Sequence, residues 1–211
     1  MVKTLDVATQ AAIRDRSRVI PRNFMVVLAK PLGGGEPVPF GFTDFGEDVL
    51  VNVIDGETGQ TVGHTYYGDS APIAKMDQIP LKIGLEVNNV QVELNPLHPV
   101  VQLMARGHDL RNVKVQIHRG YLSPESMLLV APPRIRFLGQ VNGAPERTAA
   151  VGGQSVRTLR LVSHTRELTR TNPAKRSDET QRLRGGDRFR RYSGVAGLWR
   201  RTIWWGEKGG D

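Results

Sequence analysis

The chain has 211 residues, of which 39% are hydrophobic, so it is long enough for one large domain with a packed core. It contains no cysteine, which excludes disulfides, thiolate metal sites and cysteine nucleophiles. The formal net charge is +8, and no apolar run approaches the ~20 residues that a transmembrane helix requires. The N-terminal segment also lacks the apolar core of a secretory signal, so we expect synthesis in a cytoplasm.

The charge is unevenly distributed along the chain. Residues 147–211 hold 15 of the 29 Lys and Arg but only 6 of the 21 Asp and Glu, a net charge of +9. Residues 1–146 hold 14 basic and 15 acidic residues, a net charge of −1. A basic third of this kind indicates an anionic partner, which could be nucleic acid, a membrane surface or an acidic protein.

The first predicted elements are a helix and a buried strand. Residues 4–19 place their apolar side chains near one stripe, with Thr4 as a plausible N-cap, and Pro21 prevents the helix from continuing. Residues 24–30 (FMVVLAK) form an apolar run that is typical of a buried strand. We therefore expect a helix that leads directly into the β-rich part of the chain.

The middle of the chain predicts many short strands. Residues 55–63 (DGETGQTVG) indicate a hairpin turn, with the positive φ expected at Asp55-Gly56. Further strand patterns follow at 79–87, 90–94 (after an Asn88-Asn89 turn), 112–121, 127–130, 134–141 and 155–162. This spacing favours a mainly β fold, an antiparallel sandwich or a barrel-like domain. We predict three parts: an N-terminal helix (1–22), a β-rich domain (23–163) and a basic C-terminal arm (164–211).

The arm combines arginine with aromatic residues. Ser177 and Thr180 predict a short helix that ends before Gly185-Gly186. Protein contact is the favoured interpretation, because Trp, Tyr and Arg are enriched at interface hot spots; the alternatives are nucleic-acid contact and tryptophan packing with solvated arginines. The predicted interface residues are Arg182, Arg184, Arg188, Phe189, Arg190, Arg191, Tyr192, Trp199, Arg200, Arg201, Trp204 and Trp205.

The sequence shows no catalytic or metal-binding pattern. The five histidines have no metal-ligand spacing, and the neighbours His108 and Asp109 are expected to point apart. Nucleophile-elbow, zinc-protease and P-loop motifs are missing. Asp44, Glu47 and Asp48 lack the spacing of a calcium loop, so a polar turn is favoured. We therefore predict no enzymatic activity, no metal and no cofactor.

Residues 39–44 (PFGFTD) resemble a segment near the start of tail hub proteins, which occur in the tail tips of long non-contractile phage tails and in gene transfer agents. Minor tail protein L of lambda-type siphophages is a more distant relative of that family. The resemblance covers most of residues 5–195, and the order of the later segments is also similar. These segments are 83–89 (IGLEVNN), 112–122 (NVKVQIHRGYL), 137–141 (FLGQV), 158–170 (TLRLVSHTRELTR) and 176–192 (RSDETQRLRGGDRFRRY).

The resemblance implies a structural baseplate hub or distal-tail protein of the virion, made in the host cytoplasm. Its expected partners are the tube or distal tail protein, the central fibre protein and the tape measure, within a homo-oligomer in which a trimer is favoured over a hexamer. DNA would meet the protein only in transit. Many relatives end in cysteines that hold an iron–sulfur cluster in the lambda-type protein, and this chain cannot carry that cofactor. In place of the cluster, we expect Trp199, Trp204 and Trp205 to fill the same space with hydrophobic packing.

Overall fold

A computed structural model describes residues 6–14, 18–80, 86–151, 153–169, 171 and 176–196. The chain divides into two compact units, Met1–Thr169 and Arg170–Asp211. The first unit contains a short N-terminal helix and a large mixed sheet, so the predicted mainly β fold is confirmed and the arrangement is consistent with a β sandwich. The second unit contains short helices and turns in its described residues.

The described residues of the first unit form eleven strands. They are β1 (Ile20–Pro31), β2 (Val38–Thr43), β3 (Val49–Ile54), β4 (Thr61–Tyr67), β5 (Ile73–Met76), β6 (Asn89–Leu94), β7 (His108–Asp109), β8 (Lys114–Leu122), β9 (Arg134–Gly143), β10 (Glu146–Arg147) and β11 (Val156–Ser163). The helices of this unit are α1 (Val7–Arg14), α2 (Pro99–Gly107) and a 3-10 helix (His164–Thr169). The second unit contains α3 (Asp178–Arg182) and α4 (Ser193–Ala196).

The strands follow the order β3-β4-β2-β1-β8-β9-β11-β6-β5, with β7 beside β1 and β10 beside β11. Strands β2 and β4 pair in parallel, and the other pairings among the described residues are antiparallel. Gly41 lies at the parallel contact, where an added Cβ would come within 2.2 Å of the Thr65 carbonyl oxygen. The absence of a side chain therefore lets β2 and β4 approach each other closely.

Strand β1 buries both of its faces. Phe24 and Val26 belong to a smaller core, which they share with residues of the β3–β4 hairpin. Met25, Val27 and Ala29 point to the opposite face and belong to the larger core. Because successive side chains of a strand point to opposite faces, an apolar run of this kind must be covered by protein on both sides.

The two cores are built from different parts of the sheet. The smaller core adds Val51, Val53 and Tyr66 from β3 and β4. The larger core draws its remaining members from β2, β5, β6, β8, β9, β11, helix α2 and the residues that follow it. The β3–β4 hairpin therefore forms a second layer over one face of β1, while the rest of the sheet and α2 enclose the other face.

Helix α2 lies between β6 and β7. His98 caps it, because the His98 Nδ1 atom accepts a hydrogen bond from the Val100 N–H at 3.3 Å, and Pro99 follows at the first helical position. Val101 and Met104 are buried in the larger core. The helix therefore covers one face of the sheet with apolar side chains three residues apart.

Several local expectations differ from the structure. In the β3–β4 turn the positive φ lies at Gly59 (71°), and not at Asp55-Gly56. Asn89 begins β6, so it does not belong to a turn, and residues 81–85 lie outside the described residues. Residues 127–130 make only an isolated bridge, between Leu122 and Leu129, because Met127 has a positive φ of 56° that interrupts extended structure.

We predict that Phe24→Ala and Met25→Ala both destabilise the protein, each by about 3 kcal/mol, because neighbouring positions of β1 fill separate cores. Urea denaturation followed by circular dichroism measures the loss. Lys30→Ala, at an exposed position of the same strand, is the control and is expected to change stability by less than about 0.5 kcal/mol. A Phe24→Ala cost as small as that of the control would mean that the β3–β4 layer does not cover β1.

Candidate interaction surface

The C-terminal unit begins, within the described residues, with the short helix that the sequence predicts. The Ser177 hydroxyl oxygen caps α3 by accepting a hydrogen bond from the Thr180 N–H at 3.3 Å. Gly185 and Gly186 follow with φ values of 65° and 82°, which turn the chain out of the helix. The helix is therefore fixed at both ends by local residues.

Ion pairs and hydrogen bonds hold the segment after α3 against the helix. The Arg188 guanidinium lies 2.9 Å from the Asp178 carboxylate in the first turn of α3. The Gln181 amide donates to the Asp187 carboxylate at 2.7 Å, and the other oxygen of Asp187 accepts from the Phe189 N–H at 2.9 Å. These contacts place Phe189 at a defined position just beyond the helix.

The aromatic residues of this unit lie on the surface. Phe189 is 85% exposed and Tyr192 is 66% exposed. The Arg191 guanidinium lies 5.5 Å from the centre of the Tyr192 ring, within the range of a cation–π contact. A rigid ring beside a guanidinium is the combination that dominates many protein interfaces. We name the described members the arginine–aromatic surface: Arg182, Arg184, Arg188, Phe189, Arg190, Arg191 and Tyr192.

The arginines of this surface differ in how they are neutralised. Arg182 pairs with Glu179 at 3.3 Å, and Arg188 pairs with Asp178. No ion pair among the described residues includes Arg190 or Arg191. Arg182 and Arg188 therefore form ion pairs within the unit, whereas the positive charges of Arg190 and Arg191 are available to a partner.

The remaining predicted interface residues lie outside the described residues. They are Trp199, Arg200, Arg201, Trp204 and Trp205. One further candidate for this surface was not predicted from the sequence. Leu183, at the C-cap of α3, is 85% exposed. Its signal was a lone aliphatic residue in a polar helical segment, which would have no apolar neighbours to cover it.

A second polar cluster fastens the β3–β4 turn to β8. One Asp55 carboxylate oxygen accepts hydrogen bonds from the Glu57 N–H, the Thr58 N–H and the Thr58 hydroxyl, at 2.9, 2.7 and 3.0 Å. The other oxygen accepts from the Gln116 side-chain amide at 2.7 Å, and the Gln116 side-chain oxygen accepts from the Gly56 N–H at 3.0 Å. We name this set the Asp55–Gln116 clasp.

The clasp has the properties of a structural network. Partial burial acts to raise the pKa of Asp55, but hydrogen bonds from Thr58 and Gln116 lower it to about 2. The carboxylate is therefore ionised near neutral pH, and both its oxygens already accept hydrogen bonds. This arrangement orients the hairpin and leaves Asp55 poorly suited to proton transfer.

Two histidines lie near the clasp, and a buried tyrosine lies farther along β4. His118 is buried in β8, and its Nε2 atom lies 3.0 Å from the Ile54 carbonyl oxygen, to which a neutral ring donates. Burial lowers the pKa of His118 and of half-buried His64 below the ordinary histidine value. Burial also raises the pKa of Tyr66, whose ring packs edge-on against Phe24 with the ring centres 5.1 Å apart. These groups are neutral near pH 7.

The acidic turn after β2 also has structural roles. The Asp44 carboxylate accepts from the Asn23 backbone and side chain, at 2.8 Å in each case. Asp48 accepts from the Gly68 and Asp69 N–H groups at 2.9 and 3.2 Å. No cluster of three or more histidine and acidic residues that could hold a metal ion occurs within the described ranges. None of the described helices has the length and apolar character of a membrane span.

No protein-family model matches the chain, and no curated protein matches its sequence.

We predict that stability decreases as the pH falls from about 7 to about 5, because His118 and His64 bind protons more readily in the unfolded state than in the folded state. The loss begins near the unfolded pKa of about 6.5 and continues toward the lowered folded pKa. His118→Gln preserves a donor for the Ile54 carbonyl and cannot be protonated, so its stability profile should be flatter.

The measurement is the urea midpoint across this pH range. Gln154→Asn, at an exposed position without a titratable side chain, is the control and should keep the slope of the parent protein. A slope that His118→Gln leaves unchanged would show that His118 does not carry the pH dependence.

Proposed function

We propose that this chain is a structural component of a long non-contractile phage tail tip, and that it assembles through its C-terminal unit. The observation that carries the proposal is the arginine–aromatic surface, where Phe189 and Tyr192 are exposed beside Arg190 and Arg191. Exposed aromatic side chains of this kind are stabilised when a partner covers them. The adjacent guanidinium groups favour a partner that supplies carboxylates.

The segments that resemble tail hub proteins support a structural role. Residues 39–44 contribute Phe40 and Phe42 to the larger core, and Asp44 fastens the end of β2 to Asn23. Residues 112–122 and 158–170 include most of β8 and β11, which lie at the centre of the sheet. The segments that carry the resemblance therefore contribute to the fold around β1, as expected of a scaffold and not of a reactive centre.

The proposed place in the particle is the hub or the adjacent distal-tail ring, where the chain joins the tail tube to the central fibre. Copies of the chain, the tube or distal tail protein, the fibre protein and the tape measure are the proposed contacts. A trimer is the favoured oligomer. The ring would surround the channel through which the tape measure and DNA pass, and the assembly requires no cofactor and no catalysis.

A nucleic-acid-binding protein is the second candidate. The same surface favours it, because Arg190 and Arg191 have no ion pair among the described residues and could neutralise phosphates, while Phe189 and Tyr192 could stack on bases. This candidate predicts that affinity for single strands falls steeply with salt. The assembly proposal predicts no measurable affinity in the isolated protein.

We predict that variants of the arginine–aromatic surface fail to enter tailed particles. The variants are Phe189→Ala/Tyr192→Ala and Arg190→Ala/Arg191→Ala, supplied in place of the native gene in the strain that produces the particles. Lys75→Ala/Arg106→Ala removes two exposed cations elsewhere and is the charge-matched control. Quantitative mass spectrometry of purified particles should show at least a tenfold loss (about 1.4 kcal/mol of association) for the first two variants and none for the control.

Two results would contradict the proposal. One is that the native chain is missing from purified particles. The other is that it binds a labelled single-stranded oligonucleotide of ~20 nucleotides with an affinity that falls steeply as salt rises and is lost in Arg190→Ala/Arg191→Ala. The second result would establish the nucleic-acid candidate in its place.

A further inference from the structure

The β2–β3–β4 segment is strongly acidic. Residues 31–74 contain seven acidic residues and no Lys or Arg, a net charge of −7. The acidic residues are Glu36, Asp44, Glu47, Asp48, Asp55, Glu57 and Asp69. Residues 170–211 contain eleven Lys and Arg against five Asp and Glu, a net charge of +6. The chain therefore carries two oppositely charged segments of nearly equal magnitude.

An apolar groove lies beside the acidic segment. Its volume is about 370 Å³, and its walls include Val49, Leu50 and Val51 on one side and Leu122, Met127 and Leu128 on the other. Neighbouring side chains of a strand point to opposite faces. Three consecutive residues of β3 along one groove therefore mean that the edge of the strand borders it.

Strand β3 is an open edge of the sheet. Among the described residues it pairs only with β4, so the backbone N–H and C=O groups of its outer edge have no strand partner. An unpaired edge is a template for an extended segment of another chain. Natural edges are commonly blocked by lysine or proline, and the sequence Val49–Ile54 (VLVNVI) contains neither.

The opposite wall of the groove is a fixed turn. The Ser123 N–H donates to the Leu128 carbonyl at 2.9 Å, and the Met127 N–H donates to the Ser123 carbonyl at 2.8 Å. Met127 (44% exposed) and Leu128 (69% exposed) of this turn line the same groove as Leu50 (76% exposed). Large apolar side chains on both sides of an open strand edge indicate a surface that a partner covers.

The rim of the groove is negatively charged. Glu47 lines it, and Asp48 and Glu125 are the sequence neighbours of lining residues. All three are exposed, and no ion pair among the described residues includes them. The groove therefore fits an apolar segment that also carries positive charge.

We propose that the groove beside β3 binds the arginine–aromatic surface of a second copy of this chain. Phe189 of one copy enters between Leu50 and Leu128 of its neighbour, and Arg190 and Arg191 face the carboxylates of Glu47 and Glu125. Such a contact joins two different surfaces, so repeated copies close into a ring when the rotation permits. The proposal rests on the proposed assembly role of the C-terminal unit and names its binding surface.

Disulfide trapping tests the contact directly, because the native chain has no cysteine. One preparation carries Leu50→Cys and a mass tag, and the other carries Phe189→Cys without the tag. Mixing them under mild oxidation should give a disulfide-linked heterodimer. The control replaces Leu50→Cys by Leu97→Cys, whose parent side chain is equally exposed at 77% but does not line the groove; its heterodimer yield should be at least tenfold lower.

Three outcomes of the trapping experiment would overturn the proposal. The heterodimer does not form, or it forms no faster than with the control. Leu50→Cys forms homodimers in preference, which would indicate edge-to-edge pairing of β3. A chain that carries both cysteines links only within itself, which would indicate that each groove is filled by its own chain.

Charge reversal provides a second test that does not depend on cysteine geometry. Glu47→Arg/Glu125→Arg disables the groove, and Arg190→Glu/Arg191→Glu disables the arm. Each variant alone should sediment as a monomer at concentrations where the native chain associates, with self-association weakened at least tenfold. In an equimolar mixture the native groove of one variant meets the native arm of the other, and the reversed groove meets the reversed arm, so opposite charges face each other at both contacts and the mixture should associate again. Two variants that stay monomeric when mixed would refute the pairing.

The groove variant also separates this inference from the proposed function. Suppose that Phe189→Ala/Tyr192→Ala abolishes incorporation into particles, while Glu47→Arg/Glu125→Arg is incorporated normally and trapping gives no heterodimer. The C-terminal unit would then bind another tail component, so the assembly role would stand and the groove contact would be wrong.

Discussion

Strand β1 is covered by protein on both faces, and this constraint explains much of the arrangement of the first unit. Phe24 and Val26 require one apolar layer, while Met25, Val27 and Ala29 require another. A single flat sheet would leave both faces of β1 exposed to solvent. The β3–β4 hairpin therefore covers one face of β1, and α2 with the outer strands covers the other. Buried apolar area is the main favourable contribution to folding, and β1 contributes to both cores at once.

The hairpin layer is held by polar contacts at its turn and by apolar contacts along its strands. The Asp55–Gln116 clasp fixes its turn to β8, and Tyr66 with Val51 anchors its centre over Phe24. This fixed position leaves the outer edge of β3 unpaired in the described residues, next to an apolar groove. Asp55 and Glu57 lie in the hairpin turn, and Glu47, Asp48 and Asp69 lie just outside its two strands, so the open strand edge and negative charge occur in the same part of the chain.

Local signals predicted much of the fold from sequence. The apolar run at 24–30, the hairpin turn at 55–63, and the Ser177 cap with Gly185-Gly186 are each encoded within about ten residues, and the structure contains a strand, a hairpin and a capped helix at these places. The parallel β2–β4 pairing could not be predicted from the sequence, because it depends on how strands that are distant in the chain share a core. The arginine–aromatic surface could be read from residue type alone. The groove could not, since Val49–Val51 and Leu122–Leu128 meet only in the folded chain.

We propose that oppositely charged segments of separate copies bind each other. A cryo-EM reconstruction of the assembled oligomer tests this claim most directly. The account predicts density for Phe189 between Leu50 and Leu128 of the neighbouring subunit, with the Arg190 and Arg191 side chains at its acidic rim. A reconstruction in which the groove is empty, or is filled by a different protein while residues 188–192 project into solvent, would contradict it.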